Sequence, residues 1–378
     1  MDLRTALAHA LPFAGTDGYV LVEPAVFHEH LPIILLGDRT PLPHVPAKVS
    51  AHDGETGVVI MLDPDEDVPL VGLAAAPLRK ALPVTPDSLE VIAQGASAAL
   101  RERGPVVGSG STPSVLTVPV HAAPAQLRTG LIPPEWMRPV SLATVVSVAR
   151  VTHATVDDPD RPLLQRLHLT PQRAEATDQS RVARATHGGL VPSGMLVPPD
   201  VFQRAKHSRP GALGAAVGVT DGWWWLQLGE ELRFARTAPD ADFMRLDELV
   251  DLSPCFEAVV FGPALHTALA KASKTSTAGV VELVLGDGAC GVSGMDAEGA
   301  PTSHERLLAA TNTREVVRLS LRASYARDAV AAALDRQPDP LVLRYRSPYA
   351  PIQVERGSYT ETVWPLCPEE GVTHATDH

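Results

Sequence analysis

Cysteine and aromatic residues are scarce in this chain, and each shortage narrows what it can be. The three cysteines, Cys255, Cys290 and Cys367, stand far apart with no C-x-x-C spacing. That pattern argues against a disulfide framework or a cysteine zinc site and fits a reducing compartment. Aromatics make up only 4% of residues, so the cores are expected to be aliphatic. No run reaches the ~18 apolar residues that a membrane span needs. The opening stretch MDLRTALAHALPFAGTDGY has an acidic second residue and no convincing cleavage site. A soluble, cytoplasmic protein without membrane contact is therefore expected.

Catalytic and metal-binding patterns are equally thin. Gly108-Ser-Gly-Ser-Thr112 lacks the lysine of a phosphate loop. His28-Glu29-His30 offers two ligands and no identified third. Cys290 is flanked by glycines in GDGACG, which suits an accessible thiol nucleophile, but no histidine is paired with it and the stretch also reads as a hairpin turn. No cofactor and no metal are expected. Trp223-Trp224-Trp225 could stack on bases, yet on a strand consecutive residues face opposite sides, so at least one face of this triplet is core.

What is present is length, aliphatic content and uneven charge. With 378 residues, 45% of them hydrophobic, the chain has material for two or three domains. Its 35 prolines should punctuate many element ends. Helices are predicted at Asp2–Leu11, Leu73–Leu82, Ser141–His153, Pro199–His207, Pro263–Lys274 and Ala323–Leu334, two in each third of the chain. After the second helix of each third come SLEVIAQG, LGAAVGVTDGWWWLQLG and PLVLRYRSPYAPIQVERG, all with strand character. His44–Asp67 and Gly104–Pro113 read as long loops, and linkers are expected near Ala122–Pro134 and Leu252–Pro254. The order of elements repeats at about one third of the length although residue identity does not. This points to α+β domains with mostly antiparallel sheets. A net charge of −12 would disfavour a nucleic-acid partner if evenly spread. Windows around the six predicted helices instead sum to +8, leaving −20 elsewhere.

The most informative stretch is RPLLQRLHLTPQRAEATDQSRV, Arg161 to Val182. Alternation from Leu163 to Leu169 predicts a strand, Thr170-Pro171-Gln172-Arg173 a turn, and the segment ending Ala176-Thr177-Asp178 a second strand. With the preceding helix and acidic loop, this order (Arg-Pro-x-Leu, strand, turn, Ala-Thr-Asp-x-x-Arg) resembles the middle domain of the bacterial DNA sliding clamps, the beta subunit of DNA polymerase III. Ala238-Pro239-Asp240 resembles that family's Phe-Pro-Asp. Ser347-Pro348-Tyr349-Ala350-Pro351 resembles its proline-rich loop, and Tyr359-Thr-Glu-Thr-Val-Trp-Pro-Leu366 its closing strand. The first third matches least, since it starts directly in helix where a clamp opens with a strand.

The resemblance implies three repeated clamp-type domains, 1–128, 129–252 and 253–378, with antiparallel sheets outside and helices lining a ring. It implies a homodimer closed head to tail around double-stranded DNA, loaded by a clamp loader. Such a protein is a processivity factor in DNA replication with no active site of its own. It would tether DNA polymerase, and other proteins carrying a clamp-binding motif, through a hydrophobic pocket. By resemblance that pocket comprises Leu164, Thr177, Gln179, Val182, Pro239, Met244, Tyr349, Trp364, Pro365 and Leu366, with Thr177 as a polar contact. Three of these residues depart from the family: Gln179 stands where glycine is usual, Val182 where leucine is and Trp364 where methionine is. Phosphate contacts would come from Arg79, Lys80, Arg150, Arg204, Lys206, Lys271, Lys274 and Arg322, because a positive lining holds the backbone without reading bases. Two other readings stay open: a clamp-fold scaffold that does not encircle DNA, and a hydrolase using Cys290.

Overall fold

The computed structural model describes residues 1–15, 18–25, 47–85, 87–102, 115–121, 137–203, 205, 214–220, 222–241, 243–250, 255–334 and 338–366. The elements follow one order three times. The first third runs α1 (Leu3–Ala10), β1 (Tyr19–Glu23), β2 (Lys48–His52), β3 (Thr56–Met61), β4 (Val71–Ala74), α2 (Ala75–Ala81), β5 (Leu89–Gln94), β6 (Ser97–Glu102) and β7 (Leu116–His121). The second runs β8 (Arg138–Val140), α3 (Leu142–Ala149), β9 (Leu167–Leu169), β10 (Arg173–Thr177), β11 (Arg181–Thr186), β12 (Met195–Val197), α4 (Asp200–Gln203), β13 (Ala215–Thr220), β14 (Trp223–Leu228) and β15 (Glu231–Arg236). The last runs β16 (Phe256–Phe261), α5 (Gly262–Thr275), β17 (Val280–Gly286), β18 (Ala289–Met295), β19 (Pro301–Thr311), β20 (Val317–Arg322), α6 (Ala323–Leu334), β21 (Pro340–Tyr345), β22 (Ile352–Arg356) and β23 (Tyr359–Val363). Strand, helix, four strands, helix, three strands is the repeating unit. The first third begins in helix, as its sequence predicts.

The residues group into two compact units, 1–145 with 207–238 and 146–206 with 239–378. In the first, an eleven-stranded antiparallel sheet has the order β5-β6-β7-β4-β1-β2-β3-β15-β14-β13-β8. Helix α1 is capped by Asp2, whose Oδ1 accepts from the Thr5 amide at 2.8 Å. Its Leu3, Ala6, Leu7 and Ala10 fall at helical spacing and are buried, against β2 and β3. The core there is aliphatic, with Val20, Val22, Val49, Val58 and Ile60 all inaccessible. Trp224 and Trp225 are also fully buried, and Trp223 and Trp225 both pack on Phe234. Trp224 and Trp225 are core, and Trp223 is half-buried.

In the second unit a twelve-stranded sheet has the order β12-β9-β10-β11-β23-β22-β21-β16-β19-β18-β17-β20. Helix α5 opens with proline in its first turn, where the missing amide hydrogen costs nothing. It buries Leu265, Ala268, Leu269 and Ala272 against β18, β19 and α6. Helix α6 buries Ala323, Ala326, Ala329, Val330 and Ala333, small residues that let the two helices approach closely.

Two expectations need correction. The strand predicted from Leu163 forms only over Leu167–Leu169. Before it, Leu164 donates to the Arg161 carbonyl and Arg166 to that of Leu163, closing turns behind Pro162. His44–Asp67 is not a long loop, because β2 and β3 form a hairpin there. Asp53 Oδ1 takes the amides of Glu55 and Thr56 in its turn, and Val49, Ala51, Val58 and Ile60 supply the buried alternation. Of the helix predicted over Pro199–His207, Asp200–Gln203 forms α4, and positions 204, 206 and 207 lie outside the described residues. The expectations for Gly104–Pro113, Ala122–Pro134, Leu252–Pro254, His28–His30 and Gly108–Thr112 fall wholly or mostly outside the described residues. Among the described residues no helix is long and apolar enough to cross a membrane.

Candidate peptide-binding site and basic helices

Ten sequence-selected groove residues all belong to the second unit, and most converge on one end of β10, β11 and β23. Thr177 pairs with Val182 across β10 and β11, and Val182 pairs with Thr362 on β23. Cross-strand partners share a face, so Thr177, Val182 and Thr362 lie together. Arg173, Glu175 and Arg184 continue the same face, since Glu175 pairs with Arg184.

The segment from Pro239 to Asp247 runs over that face, held by ions. Asp247 takes Arg173 at 2.6 Å and Arg184 at 3.0 Å. Buried Glu175 takes Arg173, Arg184 and His168 at 2.9, 2.7 and 3.1 Å. His168 reaches Asp240 with its other nitrogen at 3.2 Å, and its ring meets Phe243 at 4.6 Å. Burial opposes a charge on His168, but the bonds to Glu175 and Asp240 outweigh it and raise its pKa. Met244 remains 37% exposed beside this anchored run, and Pro239 is also exposed.

A tight turn closes the end of the sheet. Asp178 Oδ1 accepts from the amides of Ser180 and Arg181. Thr177 Oγ1 donates to the Arg181 carbonyl at 2.7 Å and accepts from the Gln179 amide at 3.0 Å. The Thr177 hydroxyl expected to meet a peptide is thus engaged in building the turn. Gln179 sits at φ +77°, in the left-handed region that favours glycine. Arg161 Nη1 donates to Gln179 Oε1 at 2.9 Å, which ties in the turn carrying Leu164. Leu164 and Val182 are buried, at 6% and 2% exposure.

The C-terminal strand completes the perimeter. The Trp364 amide donates to the Ser180 carbonyl at 3.1 Å and the Leu366 amide to Ser320 at 2.8 Å. Trp364, Pro365 and Leu366 are all half-buried. From Ser320 the path reaches Arg322, whose guanidinium lies 5.0 Å from the Tyr325 ring. Arg181 lies 4.4 Å from the same ring. The turn, Trp364, Leu366, β20, Tyr325 and Arg181 therefore form a closed circuit of contacts. Tyr349 is not drawn in by these contacts: it sits in the Ser347–Ala350 turn, 72% exposed.

Tyr325 and Arg181 were not among the residues selected from sequence. Arg181 ends the Ala-Thr-Asp-x-x-Arg motif and was legible there; no motif marks Tyr325. Arg181 is nearly buried, held by Asp178 at 3.0 Å and donating to the His153 carbonyl at 2.6 Å. Asp328 and Glu361 lie farther, at 3.7 and 3.9 Å. Glu361 is inaccessible and bonded to His153 and Tyr359. Burial first, then the neighbouring Glu361, push the Tyr359 hydroxyl well above its ordinary pKa.

The basic residues divide. Lys80 and Lys274 are exposed in the last turns of α2 and α5. Lys271 is exposed but paired with Glu305 at 2.6 Å. Arg79 donates to the Leu11 and Gly15 carbonyls at 3.1 and 2.6 Å, and Arg150 lies over Tyr359 at 5.8 Å. Arg322 ends β20 against Tyr325 rather than facing out from a helix. Arg204 and Lys206 lie outside the described residues.

Other features are accounted for structurally. Cys290 is inaccessible in the β17–β18 hairpin, and burial pushes its thiol up to about 12, which suits packing rather than nucleophilic attack. A trough of about 530 Å³ on β17, β18 and β19 does not include the groove residues. Part of its polar lining is internally paired, Arg318 with Glu282 and Ser293 with His304, each at 3.0 Å. Among the described residues no cluster of side chains could hold a metal ion.

No protein-family model and no curated protein sequence matches the chain. Solved structures do, and they define its class: along nearly its whole length it has the fold of the bacterial DNA polymerase sliding clamps. The DNA polymerase III beta subunit of Borrelia burgdorferi, solved with a natural product, superposes with a TM-score of 0.75 at 9% identity, covering 97% of this chain and 96% of that one. The Bacillus subtilis sliding clamp gives 0.71 at 13% identity, with 97% of each chain covered. The Thermotoga maritima beta subunit gives 0.70 at 14%, covering 97% and 98%.

Proposed function

We propose that this protein is a DNA sliding clamp: a non-enzymatic processivity factor of three repeated domains that closes head to tail as a homodimer around duplex DNA. It tethers a polymerase and other motif-bearing proteins through the groove at Thr177, Val182 and Trp364. A clamp loader opens and closes the ring, and the work is cytoplasmic.

The observation that carries the reading is a pairing rule left incomplete at two places. The last strand of the second third, β15, pairs with β3, the strand two before α2 in the first third. The last strand of the final third, β23, pairs with β11, which holds the same position in the second. Two strands are left over. Strand β7, last in the first third, meets β6 over Leu116–Pro119 and β4 only at Val120 and His121. Strand β19 meets β18 over Pro301–Leu308 and β16 only over Ala309–Thr311. Each keeps half an open edge among the described residues. Joining β7 of one copy to β19 of another obeys the same rule, and such a heterologous contact gives a ring where the rotation closes. Three domains do not comfortably surround duplex DNA, whereas the six of a dimer do.

The test is topological. Loaded protein should stay on closed circular DNA and be lost when the circle is cut, and its mass in solution should be near twice 40.1 kDa. Equal retention on both forms refutes sliding. A monomer at every practical concentration refutes the ring and favours a clamp-fold scaffold.

A further inference from the structure

Strand β18 lies between β17 and β19 in the sheet of the second unit. Ala289, Gly291 and Ser293, alternate residues on its outward face, line the trough of about 530 Å³. A glycine inside a strand gives up packing and often marks the close approach of another backbone or a ligand. The two glycines within β18 differ on this point. Gly294 faces inward, and a Cβ there would lie 2.5 Å from the Ala272 carbonyl oxygen, so helix α5 accounts for it. Gly291 faces outward, where a Cβ would meet Val284 on one bank at 3.3 Å and His304 on the other at 3.5 Å. The slot above Gly291 is one carbon stem wide, and no element among the described residues covers it.

The banks carry charge in a fixed order. Arg318 is bonded to Glu282, and His304 to Ser293. Two charged groups of the lining are left without a partner among the described residues. Arg306 is the cross-strand neighbour of Gly291 and is exposed. Asp287 is exposed in the β17–β18 turn, at φ +48°, about 13 Å from Gly291 at the rise of a strand. A small molecule needs a site that buries most of its surface, and this trough lies open on the face of the sheet. An extended chain suits it better, because its rise matches that of the strand beneath and its alternate side chains point down. With Arg318 neutralised by Glu282, Arg306 supplies one net positive charge, which matches a carboxylate. Glu282 on the opposite bank disfavours the second negative charge of a phosphate.

We propose that this trough is a docking site for an extended acidic segment of a partner protein. The segment seats a Glu or Asp side chain above Gly291 on Arg306, and a Lys or Arg four residues along on Asp287. The site lies one strand in from the open edge of β19 and shares no residue with the groove, so it requires neither the ring nor the groove.

The experiment uses full-length protein and labelled nine-residue peptides of Ala, Val and Thr, followed by fluorescence anisotropy at low salt. Each carries Lys at its third position and either Glu or Gln at its seventh. The Glu peptide should bind about threefold to fivefold more tightly, the upper range for an exposed ion pair, with the preference shrinking as salt rises. Arg306→Gln should abolish the preference, and Asp287→Asn should weaken both peptides by about twofold. Gly291→Leu fills the slot and should abolish binding of both; if that variant does not fold, Arg306→Gln, a change at an exposed side chain, still decides. Equal binding of the two peptides by the parent overturns the proposal, as does binding of neither or a preference that survives Arg306→Gln. Displacement of the Glu peptide by hexanoate at matching concentration would give the trough to a small organic acid and overturn it too. If Arg306→Gln instead lowers the mass in solution from dimer to monomer, a second copy covers the trough and the proposal falls.

Discussion

At the residue scale, buried ions rather than apolar contacts mark where this aliphatic protein is vulnerable. Glu231 is buried in the first unit, bonded to His9 and paired with Arg233 at 2.6 Å. Burial alone would raise its pKa, but His9 and Arg233 outweigh that and hold the carboxyl at about 2. A depressed carboxyl contributes stability that is present above its unfolded pKa and lost as pH falls through the folded one. Against an unperturbed value of 4.5, the contribution is on the order of 3 kcal/mol. Glu231→Gln should therefore flatten acid unfolding between about pH 4.5 and pH 2, and a parallel, merely offset curve would contradict the assignment. His168 has the opposite sign. Its raised pKa means stability fully present below the unfolded value of about 6.5 and lost as pH climbs through the folded one. His168→Gln should remove the part of the decline in melting temperature that the parent shows above neutrality. Because His168 anchors the Pro239–Asp247 segment through Asp240 and Phe243, the same substitution should raise hydrogen exchange at Phe243 and Met244. Unchanged exchange there would detach His168 from the groove wall.

At the element scale, the open half of β19 is the feature most easily tested. Leu308 is 92% exposed, and on the same face Val259 and Phe261 of β16 are 39% and 53% exposed. A face so apolar calls for a cover. If β7 of a second copy supplies it, burying Leu308 contributes about 1.5–3 kcal/mol. Leu308→Asp should then weaken dimerisation by roughly ten- to a hundredfold in sedimentation while leaving the melting temperature of the monomer unchanged. An unaltered dissociation constant would move the contact elsewhere. Neither half-edge was legible in the sequence. The alternating residues of β19 read simply as a strand, and which partner a strand lacks depends on non-local pairing. What the sequence did carry was local: helical spacing in α1, α5 and α6, glycine at the β17–β18 turn, and a turn motif ending in Arg181. It failed where the signal conflicted, as at Leu163–Arg166, whose alternation is that of a strand while Pro162 and the following turn bonds hold it folded. Tyr325 was invisible for another reason. Arg322, three residues before it, is a local neighbour, but Arg181 reaches its ring only through the tertiary fold.

At the scale of the whole molecule, charge has to reconcile an acidic chain with a polyanionic partner. The net charge is −12, yet the helix windows sum to +8, so the proposed ring requires helices inward and strands outward. Lys80 and Lys274 bear most directly on this, since both are exposed in the last turns of α2 and α5 and no carboxylate pairs with them among the described residues. If they face the duplex, they meet phosphates only. Binding of open linear duplex, measured without a loader, should then be weak and independent of sequence. The slope of log affinity against log salt should fall by about 0.9 for each phosphate contact removed. Lys80→Gln and Lys274→Gln should each lower that slope. Arg344 is the matched control: it lies on β21, paired with Glu257 and Glu355, and Arg344→Gln makes the same change of charge on the sheet. A clamp predicts that the helix variants lower the slope and the sheet variant leaves it unchanged. If all three lower it equally, the DNA senses only net charge, and the helices lose their claim to the inner wall.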